Sequence, residues 1–103
     1  MKRDRKQRRE RERALRKTVR IRERAAAALP GGAPEHPITV PSAAVVEVRA
    51  RGTACAQCQG ELQLQGDRAT STSRGVLREI EAVCRRCHTH RTLWFLIAPP
   101  AAN

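Results

Sequence analysis

A small metal-stabilised β domain of about three to four antiparallel strands, preceded by a long basic N-terminal helix and a Pro/Gly linker, is the fold class that three features of this chain predict. All four cysteines fall in two C-x2-C pairs, Cys55-Ala56-Gln57-Cys58 and Cys84-Arg85-Arg86-Cys87. Between Lys2 and Arg24 stand 13 Lys and Arg against 4 Asp and Glu, a net +9 of the chain's +11. Short alternating apolar segments flank both cysteine pairs and are absent from the basic run.

With 103 residues the chain holds at most one ordinary domain, and its packed part is expected over residues 43–98. A segment of that size buries little apolar surface, and such domains usually recruit a disulfide framework, a metal or a partner. No apolar stretch is long enough for a leader core or a membrane span, so a cytoplasmic protein with no membrane partner is expected. In a reducing compartment, paired cysteines serve better as metal ligands than as disulfides.

Residues 3–29 lack Pro and Gly and are dominated by Arg, Glu, Ala, Gln, Lys and Leu, which lose little rotamer freedom in a helix. Pro30-Gly31-Gly32 stops it, so residues 1–29 form a basic helical arm. Leu15, Val19, Ala26 and Leu29 share one stripe interrupted by Arg22, giving only the C-terminal half a face to dock. Arginines stacked one turn apart, such as Arg5, Arg9 and Arg13, repel one another, and the first half is expected to fray without a negative partner. Residues 30–42, with four prolines and two glycines by Pro41, read as an extended linker separating arm from domain.

Within the domain, Ala43–Ala50 alternates Val46, Val48 and Ala50 against Glu47 and Arg49 and reads as a strand. Gly60 follows the first cysteine pair, where a turn toward sulfur would use its tolerance of positive φ. Glu61–Gln65 alternates as a strand with Leu62 and Leu64 inward. The polar stretch 66–75 reads as a long hairpin loop into which strand pairing extends around Arg68–Thr72. Val76–Val83 fits a strand or a short helix by pattern and reads as a strand because it runs directly into Cys84. Thr92–Ile97, apolar on both faces, reads as a central or covered strand, with core as the default setting for Trp94 and Phe95. Residues 99–103 read as a disordered tail.

The candidate metal ligands are Cys55, Cys58, Cys84 and Cys87, four sulfur donors for one structural Zn²⁺. Four thiolates leave no open position for water or substrate, which disfavours a catalytic metal. No nucleophile–base cluster or phosphate loop stands elsewhere, so neither an enzyme nor a small-molecule substrate is expected. His88 and His90 lie just beyond a complete donor set and read as exposed or as supporting it. This arrangement, with 25 residues between the pairs and Gly60 beside the first, resembles the zinc-ribbon superfamily over residues 53–97. It departs from the common pattern in its long gap and in having His88 where ribbons often place Gly. The resemblance implies a ribbon fold and a bound metal, and leaves function open.

Function is argued from the arm. Its basic residues Lys2, Arg3, Arg5, Lys6, Arg8, Arg9, Arg11, Arg13, Arg16, Lys17, Arg20, Arg22 and Arg24 are suited to phosphates, because each one placed there releases a condensed counterion. With one Trp, one Phe and no Tyr, base stacking has few platforms. The expectation is a non-enzymatic protein that binds nucleic-acid backbones, RNA favoured over DNA, as a component or accessory of a ribosomal or transcription assembly. The alternatives are a protein–protein adaptor, docking through Leu93–Ile97 with its arm on an acidic partner, and a rubredoxin-like iron electron carrier.

Overall fold

The structure is a computed structural model that describes residues 2–99, with side chains from residue 4. The disordered tail expected at 99–103 lies almost wholly outside the described residues. Helix α1 (Lys2–Ala28) leads to β1 (Ile38–Val40), helix α2 (Ala43–Arg51), β2 (Leu62–Thr72), β3 (Gly75–Cys84) and β4 (His90–Ile97). The strands form one four-stranded sheet in the order β1-β4-β3-β2. The molecule is elongated, 73 Å along its longest axis, because α1 alone spans about 40 Å at 1.5 Å per residue.

The β2–β3–β4 meander matches the antiparallel expectation, but the sheet as a whole is mixed, since β1 runs parallel to β4 with Ile38 opposite Phe95 and Val40 opposite Ile97. The extended linker is therefore corrected: its Ile-Thr-Val segment is β-branched and joins the sheet. Pro37 and Pro41, on either side, confine it to a three-residue edge strand. Upstream, Gly31 adopts φ 82° and is buried, its N–H donating to His36 O at 2.6 Å and its carbonyl accepting from Trp94 N at 2.8 Å. A side chain at Gly31 would put Cβ 2.8 Å from Ile38 Cδ1. The segment that reads as a spacer is thus packed against β4.

A second correction concerns residues 43–50, which form α2 and not a strand. Ser42 takes extended geometry ahead of the helix, Glu47 and Arg51 pair one turn apart at 2.6 Å, and Gly52 closes the C-terminus by donating to Val48 O. Val46 and Ala50, four residues apart, are buried, whereas Val48 is 71% exposed. Helical spacing decides which of these side chains reaches the core.

The polar stretch 66–75 is not a long loop. Pairing between β2 and β3 continues from Leu62 opposite Cys84 to Thr72 opposite Gly75, with a bulge between Leu64 and Gly66, and only Ser73-Arg74 turns the chain. The Thr72 hydroxyl donates to Gly75 O at 2.7 Å and accepts the Arg74 amide at 3.2 Å. The long gap between cysteine pairs is spent on an extended hairpin, braced by a bidentate Arg78–Asp67 ion pair.

The core gathers Val40, Val46, Ala50, Leu62, Ile80, Ala82, Leu93 and Phe95 together with Cys55 and Cys84. Phe95 is wholly buried and Trp94, pointing the other way, is half-buried. Cys55 and Cys84, one from each pair, are therefore part of the packed interior, continuous with the apolar face of the sheet.

Candidate metal centre

The first cysteine pair follows α2, and the second begins at the last residue of β3. In each, the amide after the second cysteine closes a turn on the carbonyl of the first: Gln59 N to Cys55 O at 2.8 Å, and His88 N to Cys84 O at 3.0 Å. A second bond repeats as well, Cys55 N to Gly60 O at 2.9 Å and Cys84 N to Thr89 O at 3.0 Å. Amides inside each turn point at sulfur: Gln57 N lies 3.4 Å from Cys55 Sγ and Arg86 N 3.3 Å from Cys84 Sγ. Such N–H···S contacts stabilise thiolate over thiol.

These two knuckles bring the four sulfurs within 4.8 Å of one another. Cys55 Sγ is 3.7 Å from Cys87 Sγ, and Cys58 Sγ is 3.4 Å from Cys84 Sγ. Disulfide bonds need about 2.0 Å, so neither pair is bridged. A tetrahedron with metal–sulfur bonds of about 2.3 Å has edges of about 3.8 Å, and the cluster approaches that size. Four cysteine sulfurs on a small β sheet could thus hold one metal ion. His88 and His90 are exposed and lie outside the cluster.

The four thiols sit in unequal surroundings. The Thr89 hydroxyl, 3.0 Å from Cys87 Sγ, and the Thr89 amide draw the Cys87 pKa down to about 6. At Cys58 the Gly60 amide also pulls downward, but burial and proton sharing with Cys84, Cys87 and Cys55 outweigh it and push the pKa up to about 11. Amides of Cys87 and Arg86 lower Cys84. A metal ion held by this set would displace protons from the thiols.

The role of Gly60 differs from the one expected. Positive φ belongs to the residues directly after the second cysteines, Gln59 at 65° and His88 at 62°. Gly60 is required for space: a Cβ there would lie 2.8 Å from Cys84 Sγ, 2.9 Å from Arg86 Cβ and 3.2 Å from Cys58 Sγ.

The arm is helical through its basic run, and every candidate basic residue from Arg5 to Arg24 is exposed; the side chains of Lys2 and Arg3 lie outside the described residues. Arg16 pairs loosely with Glu12 at 3.7 Å. The apolar stripe does not dock as its spacing suggests, since Leu15 is 66%, Val19 47% and Leu29 61% exposed. Polar contacts join the arm to the head instead. Arg22 donates to Gln57 O at 2.8 Å, Gln57 Nε2 donates to Val19 O at 3.2 Å and to Glu23 at 2.7 Å, and Arg91 holds both Glu23 oxygens at 2.7 and 2.9 Å. The Arg91 guanidinium holds the Glu23 carboxyl below its usual range. Gln57, Glu23, Arg91 and Thr89 carry no motif signal; the contacts span up to 68 residues of sequence.

The Leu93–Ile97 segment, considered above as a docking strand, lies inside β4 with β1 on one side and β3 on the other, and offers no free edge. No described helix is long and apolar enough to cross a membrane. No family model, curated protein or solved structure matches the chain.

Proposed function

We propose that this chain is a non-catalytic zinc-ribbon protein of a reducing, cytoplasmic compartment, whose Cys55, Cys58, Cys84 and Cys87 hold one structural Zn²⁺ and whose arm binds nucleic-acid backbones, RNA ahead of DNA. The observation that carries the metal half is the convergence of four sulfurs on near-tetrahedral spacing. Soft thiolates suit zinc or iron, and the even donor set leaves no position for catalysis. Elemental analysis and the visible spectrum of purified protein decide between them: stoichiometric zinc and no colour is expected, while iron and colour support the electron carrier.

The observation that carries the other half is a continuous exposed basic helix extending from a compact head. Arg5, Lys6, Arg9 and Arg13 line one shallow groove of it with Glu10 as the sole acid. About six phosphates contacted give a log–log salt slope of about −4 on single strands and about −5 on duplex DNA. Titration of the full chain against structured RNA and duplex DNA of mixed sequence, at several salt concentrations, tests this. Changing Arg5, Arg9, Arg13, Arg16 and Arg20 together to Gln should flatten most of that slope. Binding that is absent at low salt, or unaffected by those changes, rejects the reading. A partner of this kind fits a component or accessory of a ribosomal or transcription assembly.

A further inference from the structure

A helix that buries none of its large apolar residues against the head would be expected to swing from its end. Here it is held by one residue of a cysteine knuckle, Gln57, together with Arg91 of β4. Gln57, directly before Cys58, contributes its carbonyl to Arg22 and its side-chain amide to Val19 O and Glu23, while Arg91 on β4 grips the same carboxylate. The Arg91 side chain is only 11% exposed, and a two-pronged guanidinium–carboxylate contact in that setting fixes direction as well as distance.

We propose that the first knuckle is the docking seat of the arm, so that one metal ion both closes the head and sets the direction in which the basic helix projects. The Gln57 amide turns inward toward Cys55 Sγ at 3.4 Å, and this curl leaves its carbonyl and side chain facing α1. The curl lasts while the sulfurs are gathered. Without the metal, Cys55 and Cys58 no longer share a centre with Cys84 and Cys87, the turn opens, and the three contacts that converge on Gln57 are lost together. The arm then retains only its covalent exit, the Gly31 bond to Trp94 N and the Glu23–Arg91 ion pair, which without Gln57 no longer has a second partner to fix its angle. By linkage the converse holds: Arg22 and Glu23 keep Gln57 in its curled position, and so raise the affinity of the knuckle for metal.

This inference rests on the metal reading above and gives it a use. An arm clamped at one angle offers its arginines as a straight row to a single phosphate track, whereas a released arm samples many directions and pays ordering entropy on binding. Loss of metal would weaken nucleic-acid binding even though no basic residue has changed.

The test uses the full-length zinc-loaded chain and needs no nucleic acid. Glu23→Ala removes the carboxylate shared by Gln57 and Arg91 without touching a sulfur. Two quantities are measured, amide hydrogen exchange over residues 16–24 and zinc affinity by equilibrium competition with a chelator. Both should change together: exchange in that stretch rises several-fold, and zinc affinity falls about five-fold, the lower end of ordinary coupling between sites. The exchanged pair, Glu23→Arg with Arg91→Glu, should recover part of both effects, and does so only if the contact acts through its charge geometry. A zinc-loaded Glu23→Ala chain with parental exchange and parental affinity overturns the proposal alone. A parent chain that takes up no zinc overturns the metal reading and this one with it.

Discussion

The two cysteine knuckles repeat the same pair of backbone hydrogen bonds and the same inward amide, and differ in what surrounds them. The first is roofed by the arm through Gln57 and crowded from below by Cys84 and Arg86, so that position 60 admits no side chain. The second stands at the surface: Cys87 is exposed, and Thr89, the counterpart of Gly60, has room for a side chain whose hydroxyl meets Cys87 Sγ. A repeated cysteine turn thus tolerates different sequences in its two copies because each meets a different neighbour. The repeated turn places the sulfurs, while the residues between and after the cysteines answer to packing.

The harshest way to break the comparison is to remove a ligand from each side of it. Structural zinc contributes on the order of 10 kcal/mol in small modules, so Cys84→Ser, at a buried sulfur that accepts the Arg86 and Cys87 amides, should abolish stoichiometric metal and the cooperative unfolding transition of the head. Cys87→Ser, at the exposed corner, should leave a weakened but metal-dependent transition. Thermal unfolding by circular dichroism with parallel metal analysis reads both. Equal losses would show that exposure at the corner counts for nothing.

Next in size is the contrast between Gly60 and Thr89. Gly60→Ala forces a methyl onto Cys84 Sγ and Arg86 Cβ and should cost about 1–3 kcal/mol, with a matching fall in metal affinity. Thr89→Ala removes one hydroxyl contact and should cost less. Chemical denaturation of the zinc-loaded variants measures the difference, and a harmless Gly60→Ala would mean that the two knuckles are interchangeable after all.

Much of this asymmetry lay beyond what sequence can show, and the reasons are specific. The cysteine pairs and the three strands of the meander were legible from local signals: ligand spacing, the alternation of Glu61–Gln65, the run of Val76–Val83 straight into Cys84, and the two-sided apolar segment Thr92–Ile97. Residues 43–50 were not, since Val46, Val48 and Ala50 alternate while Val46 and Ala50 also stand one helical turn apart; the pair Glu47–Arg51 and Ser42 ahead of the run were the helical signs. The linker misled because proline and glycine content outweighed three β-branched residues that β4 could accept as a neighbour. The polar hairpin misled because an exposed strand pairs through its backbone, which composition does not register. The arm's attachment through Gln57, Glu23 and Arg91 joins residues far apart in sequence and follows no period.

The proton chemistry of the exposed corner gives a smaller effect. The Thr89 hydroxyl and amide draw Cys87 down to about 6, well under the ordinary 9.0, so thiolate is favoured there whenever the second knuckle is formed. The stability that this contributes is fully present above the ordinary value and lost as pH falls through about 6. Thr89→Val removes the hydroxyl and raises the Cys87 value. The pH at which half the zinc is released should therefore shift upward by a fraction of a unit. A spectroscopic pH titration with a zinc indicator records it, and an unmoved midpoint would assign the depression to the amide alone.

The smallest expected change addresses the one feature in which the knuckles agree against rule. Gln59 and His88 both adopt positive φ, a region that costs an L-residue about 1–2 kcal/mol and costs glycine nothing. Both side chains are exposed, so no packing is lost on removing them. Glycine returns part of the gain as extra freedom of the unfolded chain, which leaves a net stabilisation of about 0.5–1 kcal/mol for His88→Gly. Gln59→Gly should do the same for the first knuckle. Because neither residue contacts the arm or the sulfurs, the two effects should add, and the thermal midpoint of the double variant should exceed that of either single one. A His88→Gly chain that is less stable than its parent would reveal a role for the imidazole at the metal corner that its exposed position does not suggest.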